Sequence, residues 1–124
     1  MAKKILVVED DQFLSKILKM KFEKIGYEIL VAYDGLEALE MAKTKSPDLV
    51  LLDIMMPVKD GFSVLAEMKK DSKLSKIPVI IASNLGQKED KDKAVALGAE
   101  DYIVKSDTSL DDLVKRSREI LGDK

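Results

Sequence analysis

Six polar or charged residues stand at the ends of short apolar segments of the chain. They are Glu9, Asp10, Asp11, Asp53, Ser83 and Lys105. Clustered carboxylates repel one another, and their pKa values rise unless a cation lies among them. Magnesium is a suitable cation, because it prefers one or two carboxylates together with water and phosphate oxygens. The chain has no glycine-rich phosphate loop of either common type, which argues against nucleotide binding.

Each of these residues also has a purely structural interpretation. The run from Glu9 to Asp11 could be a solvated turn whose last member caps the first helix. Asp53 could end a strand at a turn. Ser83 could be a helix cap and Lys105 a surface lysine. The functional interpretation is favoured because all of these residues are predicted to lie at the same edge of one sheet.

Two kinds of segment alternate along the chain and would position these residues. Short apolar segments rich in β-branched residues cover residues 4–8, 28–32, 48–52, 77–82 and 102–104. At least three are continuously apolar, which is typical of parallel strands buried on both faces. The segments between them are amphipathic and predict helices. In the first of these, Phe13 and Phe22 are expected to lie in the core.

Cap and turn residues separate the predicted elements. Asp34 with Glu37 indicates a capping box that opens a helix. Gly26 and Gly98 stand where left-handed residues would end helices. Five strand–helix units in a row predict an α/β fold with a doubly wound parallel sheet and right-handed crossovers. In such sheets the functional residues lie at the carboxyl ends of the strands.

Composition limits the remaining classes of function. The chain has 124 residues, 46% of them hydrophobic, and predicts a single domain over residues 1–124. It contains neither cysteine nor histidine, which excludes disulfides, thiolate sites, imidazole bases and a phosphohistidine on this chain. A net charge of −2 predicts no general attraction to nucleic acid or membranes. With no long apolar run and no signal peptide, we expect a cytoplasmic protein.

The chain resembles the receiver domains of two-component response regulators over essentially its whole length. The matching motifs are Ile5-Leu-Val-Val-Glu-Asp-Asp11, Leu51-Leu-Asp-Ile-Met-Met-Pro57 with Asp60-Gly61, Pro78-Val-Ile-Ile-Ala-Ser83 and Gly98-Ala-Glu-Asp-Tyr-Ile-Val-Lys105. Four motifs in the correct order and spacing make the resemblance specific. It implies a flavodoxin-like fold with five helices and a five-stranded parallel sheet in the order 2-1-3-4-5.

The resemblance also implies a role for each site residue. Asp53 would be the phosphoacceptor. Glu9 and Asp10 would hold Mg²⁺ together with Asp53 and the backbone carbonyl of Met55. Lys105 would pair with a phosphoryl oxygen. Because the chain has no histidine, the phosphodonor would be a sensor histidine kinase, a histidine phosphotransfer protein or a small molecule such as acetyl phosphate.

Two further residues would transmit the change. Ser83 would follow the phosphoryl group with its hydroxyl, and Tyr102 would turn inward on activation. These movements would bias a two-state equilibrium that is sensed on the face of the fourth helix, fifth strand and fifth helix. Asp11 is expected to cap the first helix rather than bind the metal.

Some positions depart from the family pattern. Receivers usually have proline after the lysine, across a cis peptide, whereas here Ser106 follows Lys105. We therefore expect a strained or rearranged loop and a differently aimed lysine. Asn84 stands where a small residue is usual and would restrict access to the site. Met55 and Leu85 would flank the path of the attacking water, so slow self-dephosphorylation is expected.

The predicted output face carries charges of both signs. By analogy with regulators of the winged-helix class, Lys91 would pair with Asp112, and Asp101 with Arg116, across a symmetric dimer. An ordinary solvated face is the alternative, because surface ion pairs are weak.

The sequence thus predicts a phosphorylatable receiver that acts as a switch and catalyses its own aspartyl phosphorylation and dephosphorylation. Its output would be a downstream protein target or a phosphorylation-dependent homodimer. Because the chain ends soon after the last predicted helix, it would be a stand-alone receiver or the receiver of a longer regulator. A phosphorylation-independent interaction module is one alternative. A metal-dependent phosphatase is another, disfavoured because no second acid closely follows Asp53.

Overall fold

Strands and helices alternate from residue 4 to residue 120 of the computed structural model, which describes residues 2–123. The strands are β1 (Lys4–Val8), β2 (Glu28–Ala32), β3 (Leu49–Leu52), β4 (Val79–Ser83) and β5 (Asp101–Val104). The helices are α1 (Gln12–Lys24), α2 (Gly35–Lys45), α3 (Gly61–Lys70), α4 (Lys88–Ala96) and α5 (Leu110–Ile120). Short 3₁₀ turns cover Leu74–Lys76 and Lys105–Asp107.

All five strands are parallel and form one sheet in the order β2-β1-β3-β4-β5. This confirms the predicted fold, and the strand boundaries differ from the prediction by at most two residues. The largest difference is at β4, where the prediction began at residue 77. Pro78 has no N–H to donate to the ladder, although its carbonyl still accepts from Val50 N at 3.0 Å.

Helices cover both faces of the sheet, which explains why the strands are apolar throughout. On one face Ile5 and Val7 pack with Leu18 and Phe22 of α1 and with Leu113 of α5. On the other face the neighbouring strand residues pack against α2, α3 and α4. That second core includes Leu6, Val8, Leu39, Val64, Leu65 and Ala94.

Helices α1 and α2 begin at the predicted caps. The Asp34 carboxylate accepts from Glu37 N at 2.8 Å, but the Glu37 carboxylate accepts from Tyr33 N at 2.7 Å, one residue before the cap. Asp11 caps α1, as predicted, by accepting from the backbone N–H groups of its first turn. Gly26 ends α1 with a left-handed φ of 103°.

The prediction that Phe13 is a core residue was wrong. Phe22 is fully buried, whereas Phe13 is 75% exposed. The two residues are nine positions apart, and at about 100° per residue they lie on opposite sides of α1. The buried side is fixed by Leu18 and Phe22, which leaves Phe13 directed to solvent.

Within residues 2–123, no helix combines the length and the apolar character needed to cross a membrane.

Candidate functional site

The two-residue period of the strands places three charged side chains on one face of the sheet. Glu9, Asp53 and Lys105 each lie two positions beyond a buried strand residue that packs on the α1–α5 face. Those strand residues are Val7, Leu51 and Ile103. Because the strands are parallel, their carboxyl ends meet at one edge. The three charged side chains therefore lie at that edge, on the same face of the sheet as the core residues that pack against α1 and α5.

Backbone hydrogen bonds extend beyond the strands and hold the two buried carboxylates side by side. Asp53 N donates to the carbonyl of Val8 at 3.1 Å, and Glu9 N donates to the carbonyl of Ala32 at 3.0 Å. Asp53 follows the central strand β3, so it has β1 on one side and β4 on the other. The position of Asp53 is thus set by the sheet rather than by a flexible loop.

Three carboxylates converge at this edge. Oxygens of Glu9, Asp10 and Asp53 lie within 4.8 Å of one another. Glu9 and Asp53 are 4% and 7% exposed, whereas Asp10 is exposed. The pKa of Glu9 is raised to about 7, mainly by burial and also by the charge of Asp53, although the hydrogen bond and charge of Lys105 lower it.

This donor set fits a hard divalent cation. Buried oxygens that repel one another are stabilised by Mg²⁺, which selects carboxylate and carbonyl ligands. Asp10 and Met55 line the same surface depression, at the start of the β3–α3 connection. The Met55 side chain is 64% exposed.

Lys105 reaches the acidic cluster from the edge strand β5. Its ammonium group donates to the Glu9 carboxylate and lies 3.2 Å from Asp53 Oδ2. Burial alone would lower the pKa of Lys105, but the contacts with Glu9 and Asp53 outweigh it and raise the pKa. Strand register pairs Ala82 with Ile103, so a small side chain lies between the ends of β3 and β5.

The loop after Lys105 does not have the cis peptide that is usual in the family. Residues 105–107 form a 3₁₀ turn, and the described residues 2–123 contain no cis peptide bond. Lys105 nevertheless reaches the acidic cluster, because its ammonium group lies 3.2 Å from Asp53 Oδ2. Serine at position 106 is therefore compatible with the position of the lysine.

Ser83 and Tyr102 form a second group at the same edge. Ser83 is 1% exposed, and its hydroxyl accepts from Leu85 N at 3.2 Å. The Tyr102 hydroxyl donates to the backbone carbonyl of Leu85, and burial raises the pKa of Tyr102. Across residues 2–123 no hydrogen bond joins Ser83 to Asp53. Both side chains thus hold the β4–α4 connection rather than the acidic cluster.

Gly61 packs against the site, whereas the sequence analysis named it only as part of a matching motif. A Cβ atom at Gly61 would lie 2.2 Å from the carbonyl oxygen of Asp53 and 2.7 Å from Cα of Ile54. Gly61 N also donates to the carbonyl of Ile54 at 2.8 Å. The start of α3 therefore packs directly on the backbone of Asp53. The Asp60-Gly61 motif was the available signal, but it does not reveal the contact.

On the charged output face, an ion pair within the chain joins two of its elements. Arg116 Nη1 lies 3.2 Å from Asp101 Oδ2, so α5 is tied to the start of β5. Pairing of these two residues across a dimer would require this contact to open. Lys91 and Asp112 are both exposed. Their pairing across a dimer stays a prediction.

Comparison with known proteins gives a consistent match. Residues 5–118 match the family profile of the response regulator receiver domain. The chain is 45% identical over 103 residues to the "Probable transcriptional regulator ycf27" of Cyanophora paradoxa, covering 83% of this chain and 42% of that protein. It is 34% identical over 118 residues to the "DNA-binding dual master transcriptional regulator RpaA" of Synechocystis, covering 95% and 48% respectively.

The fold agrees with a solved structure of the same family. The Francisella response regulator 1452 receiver domain superposes with a TM-score of 0.90 at 37% identity, covering 97% of both chains. The chain spans less than half the length of the two curated relatives. A profile match over residues 5–118, together with this fold, shows that the chain belongs to the response regulator receiver domain family.

Proposed function

We propose that the chain is a phosphorylatable receiver that accepts a phosphoryl group on Asp53. The observation that carries this proposal is the position of Lys105, whose ammonium group lies 3.2 Å from Asp53 Oδ2 beside the acidic cluster. A carboxylate nucleophile, a cation for the incoming charge and a set of metal ligands thus lie together. Phosphoryl transfer requires mainly this kind of positioning and charge neutralisation.

The reaction forms one bond and breaks one. A carboxylate oxygen of Asp53 attacks the phosphorus atom, and the bond from phosphorus to the imidazole nitrogen of the donor breaks. The imidazole leaves with the electron pair, so no general base on this chain is needed. Lys105 can exchange its contact with the Asp53 carboxylate for one with a phosphoryl oxygen.

Glu9, Asp10, Asp53 and the backbone carbonyl of Met55 would hold Mg²⁺. When bound, the ion supplies positive charge that neutralises the phosphoryl oxygens. Of these ligands, Glu9 has a second task, since its carboxylate accepts from Lys105 and holds that side chain close to the acceptor.

The β4–α4 connection is the proposed route from Asp53 to the output face. Ser83 and Tyr102 both contact Leu85, through its N–H and its carbonyl. A movement of the Ser83 hydroxyl toward a phosphoryl oxygen on Asp53 would weaken the bond that it accepts from Leu85 N. This would free the connection, shift the start of α4 and change the face formed by α4, β5 and α5.

The proposed donor is a sensor histidine kinase or a histidine phosphotransfer protein in the cytoplasm. The curated relatives carry names of transcriptional regulators and are more than twice as long as the matched region. We infer an output through gene regulation or through a docked protein. This domain is not itself proposed to bind nucleic acid, because its net charge is −2.

The phosphorylation-independent alternative has no support in the geometry. Ser106 and Asn84 were its basis, yet Lys105 reaches Asp53 and the three carboxylates converge. On the output surface, Arg116 and Asp101 form an ion pair within the chain. A homodimer on that surface stays a second possible readout of phosphorylation.

Intact-protein mass spectrometry after incubation with phosphoramidate tests the proposal. We expect a single phosphoryl adduct that requires Mg²⁺ and is absent from Asp53→Asn. Asp11→Asn is the matched control, because asparagine caps a helix about as well as aspartate and Asp11 is the cap of α1. No adduct on folded wild-type protein, or an equal adduct on Asp53→Asn, would refute the proposal.

A further inference from the structure

The turn that ends α5 has a carboxylate at a position that is often apolar. Gly122 N donates to the carbonyl of Glu119 at 3.1 Å, and Asp123 N donates to the carbonyl of Arg118 at 2.8 Å. With Gly122 at a φ of 79°, these two bonds form the Schellman motif that ends many helices. The residue after the left-handed one frequently makes a hydrophobic contact in this motif. Here that residue is Asp123, so its contacts are polar instead.

Two side chains from the N-terminal part of the chain hold the Asp123 carboxylate. The Tyr27 hydroxyl donates to Asp123 Oδ2 at 2.6 Å, and the Lys3 ammonium group lies 3.2 Å from Asp123 Oδ1. Lys3 also donates to the carbonyl of Leu121, the residue that caps α5. The hydrogen bond from Tyr27, and after it the one from Lys3, lowers the pKa of Asp123. Both carboxylate oxygens are therefore held, and the charged form of the group is favoured.

The partners of Asp123 stand on rigid parts of the fold, whereas the contacts themselves are open to water. Tyr27 is 9% exposed, and its ring packs edge-on against Phe22 with the ring centroids 6.0 Å apart. The carbonyl of Lys3 accepts from Glu28 N at 3.0 Å, which extends the pairing of β1 with β2. The side chains of Lys3 and Asp123 are 41% and 34% exposed. Water can therefore replace these polar contacts without opening the hydrophobic core.

We propose that Asp123 is a conformational latch, which holds the C-terminal end of α5 against the start of the sheet while Tyr27 and Lys3 bind its carboxylate. When the carboxylate is released, residues 121–123 separate from the start of β1 and β2, and the last turn of α5 frays. Because α5 forms part of the output face, the latch determines how firmly that helix is held. The proposal does not depend on phosphorylation of Asp53, because the latch lies at the opposite end of the strands from the acidic cluster.

Amide hydrogen exchange, measured residue by residue with NMR, tests the latch. Tyr27→Phe removes the donor hydroxyl and keeps the ring that packs against Phe22, so the variant retains its fold. We expect the amides of residues 121–123 to exchange about 10-fold faster, as for the loss of one hydrogen bond to a charged group. The amide of Asp53, at the other end of the sheet, should keep its rate. Tyr33→Phe is the matched control, because it removes the hydroxyl of an exposed tyrosine outside the latch.

Asp123→Ala removes the carboxylate and tests the same contact from the other side. After correction for intrinsic rates, the amides of residues 121–123 should again exchange about 10-fold faster or more. The double variant Tyr27→Phe/Asp123→Ala should exchange no faster than Asp123→Ala, because the two groups act through one contact. The latch is overturned by an unchanged rate at residues 121–123 in Tyr27→Phe, or by additive effects in the double variant. It is also overturned by an equal acceleration at Asp53 or in Tyr33→Phe.

Discussion

Replacing Gly61 by alanine adds one methyl group behind the proposed phosphoacceptor. The new Cβ would lie 2.2 Å from the carbonyl oxygen of Asp53, whereas real Cβ contacts are essentially never below 3.0 Å. One backbone must therefore withdraw from the other by about 0.8 Å. Because both partners are backbone atoms, no side-chain rotation can relieve the contact. Overpacking of this kind costs about 1–3 kcal/mol.

Helix propensity alone predicts that Gly61→Ala would stabilise the protein. Gly61 is the first residue of α3, where alanine would otherwise be favoured by up to about 1 kcal/mol. We expect urea denaturation to show Gly61→Ala about 2 kcal/mol less stable than the wild type. Displacement of Asp53 by close to 1 Å should also slow its phosphorylation by about 100-fold in the folded variant.

Two control variants separate the contact from general effects of adding a methyl group. At Gly86 the nearest atoms to a new Cβ are 3.6 Å away, so Gly86→Ala should be nearly neutral. At Gly26 the space is open but φ is 103°, so Gly26→Ala should lose stability without loss of phosphorylation rate. A Gly61→Ala variant as stable and as active as the wild type would refute the argument.

Three further predictions address single residues. Lys105→Met should slow phosphorylation of Asp53 by about 100-fold in stopped-flow assays, because it removes the cation beside the acceptor; an unchanged rate would contradict this. Val58→Gly should stabilise the protein by roughly 1 kcal/mol in urea, because Val58 is 77% exposed and has a φ of 71°; lower stability would show that its conformation is unstrained. In urea denaturation, Phe22→Ala should lower the free energy of unfolding by about 3–5 kcal/mol and Phe13→Ala by under about 0.5 kcal/mol. Similar losses in the two variants would be inconsistent with the position of these residues on opposite faces of α1.

The order of elements could be predicted from the sequence because its signals are local. Continuous apolar runs marked the strands, and Asp34 and Gly26 marked where a helix starts and another ends. The convergence of Glu9 and Asp53 also followed from the pattern, since both come directly after parallel strands. A parallel sheet brings such strand ends to one edge.

Features that depend on contacts between distant segments were not predictable in the same way. The side of α1 that faces the core is decided by packing, and this is why Phe13 was placed wrongly. The contact of Gly61 with the backbone of Asp53 depends on how α3 returns to the sheet. The pairing of Arg116 with Asp101 within the chain depends on the docking of α5 beside β5.

The central claim is that Asp53 itself receives the phosphoryl group. Borohydride reduces an aspartyl phosphate to homoserine, so peptide mapping after reduction identifies the modified residue directly. We expect homoserine at position 53 only, in an amount that falls when Mg²⁺ is removed. Homoserine at position 10 or 11, with position 53 unmodified, would contradict the account.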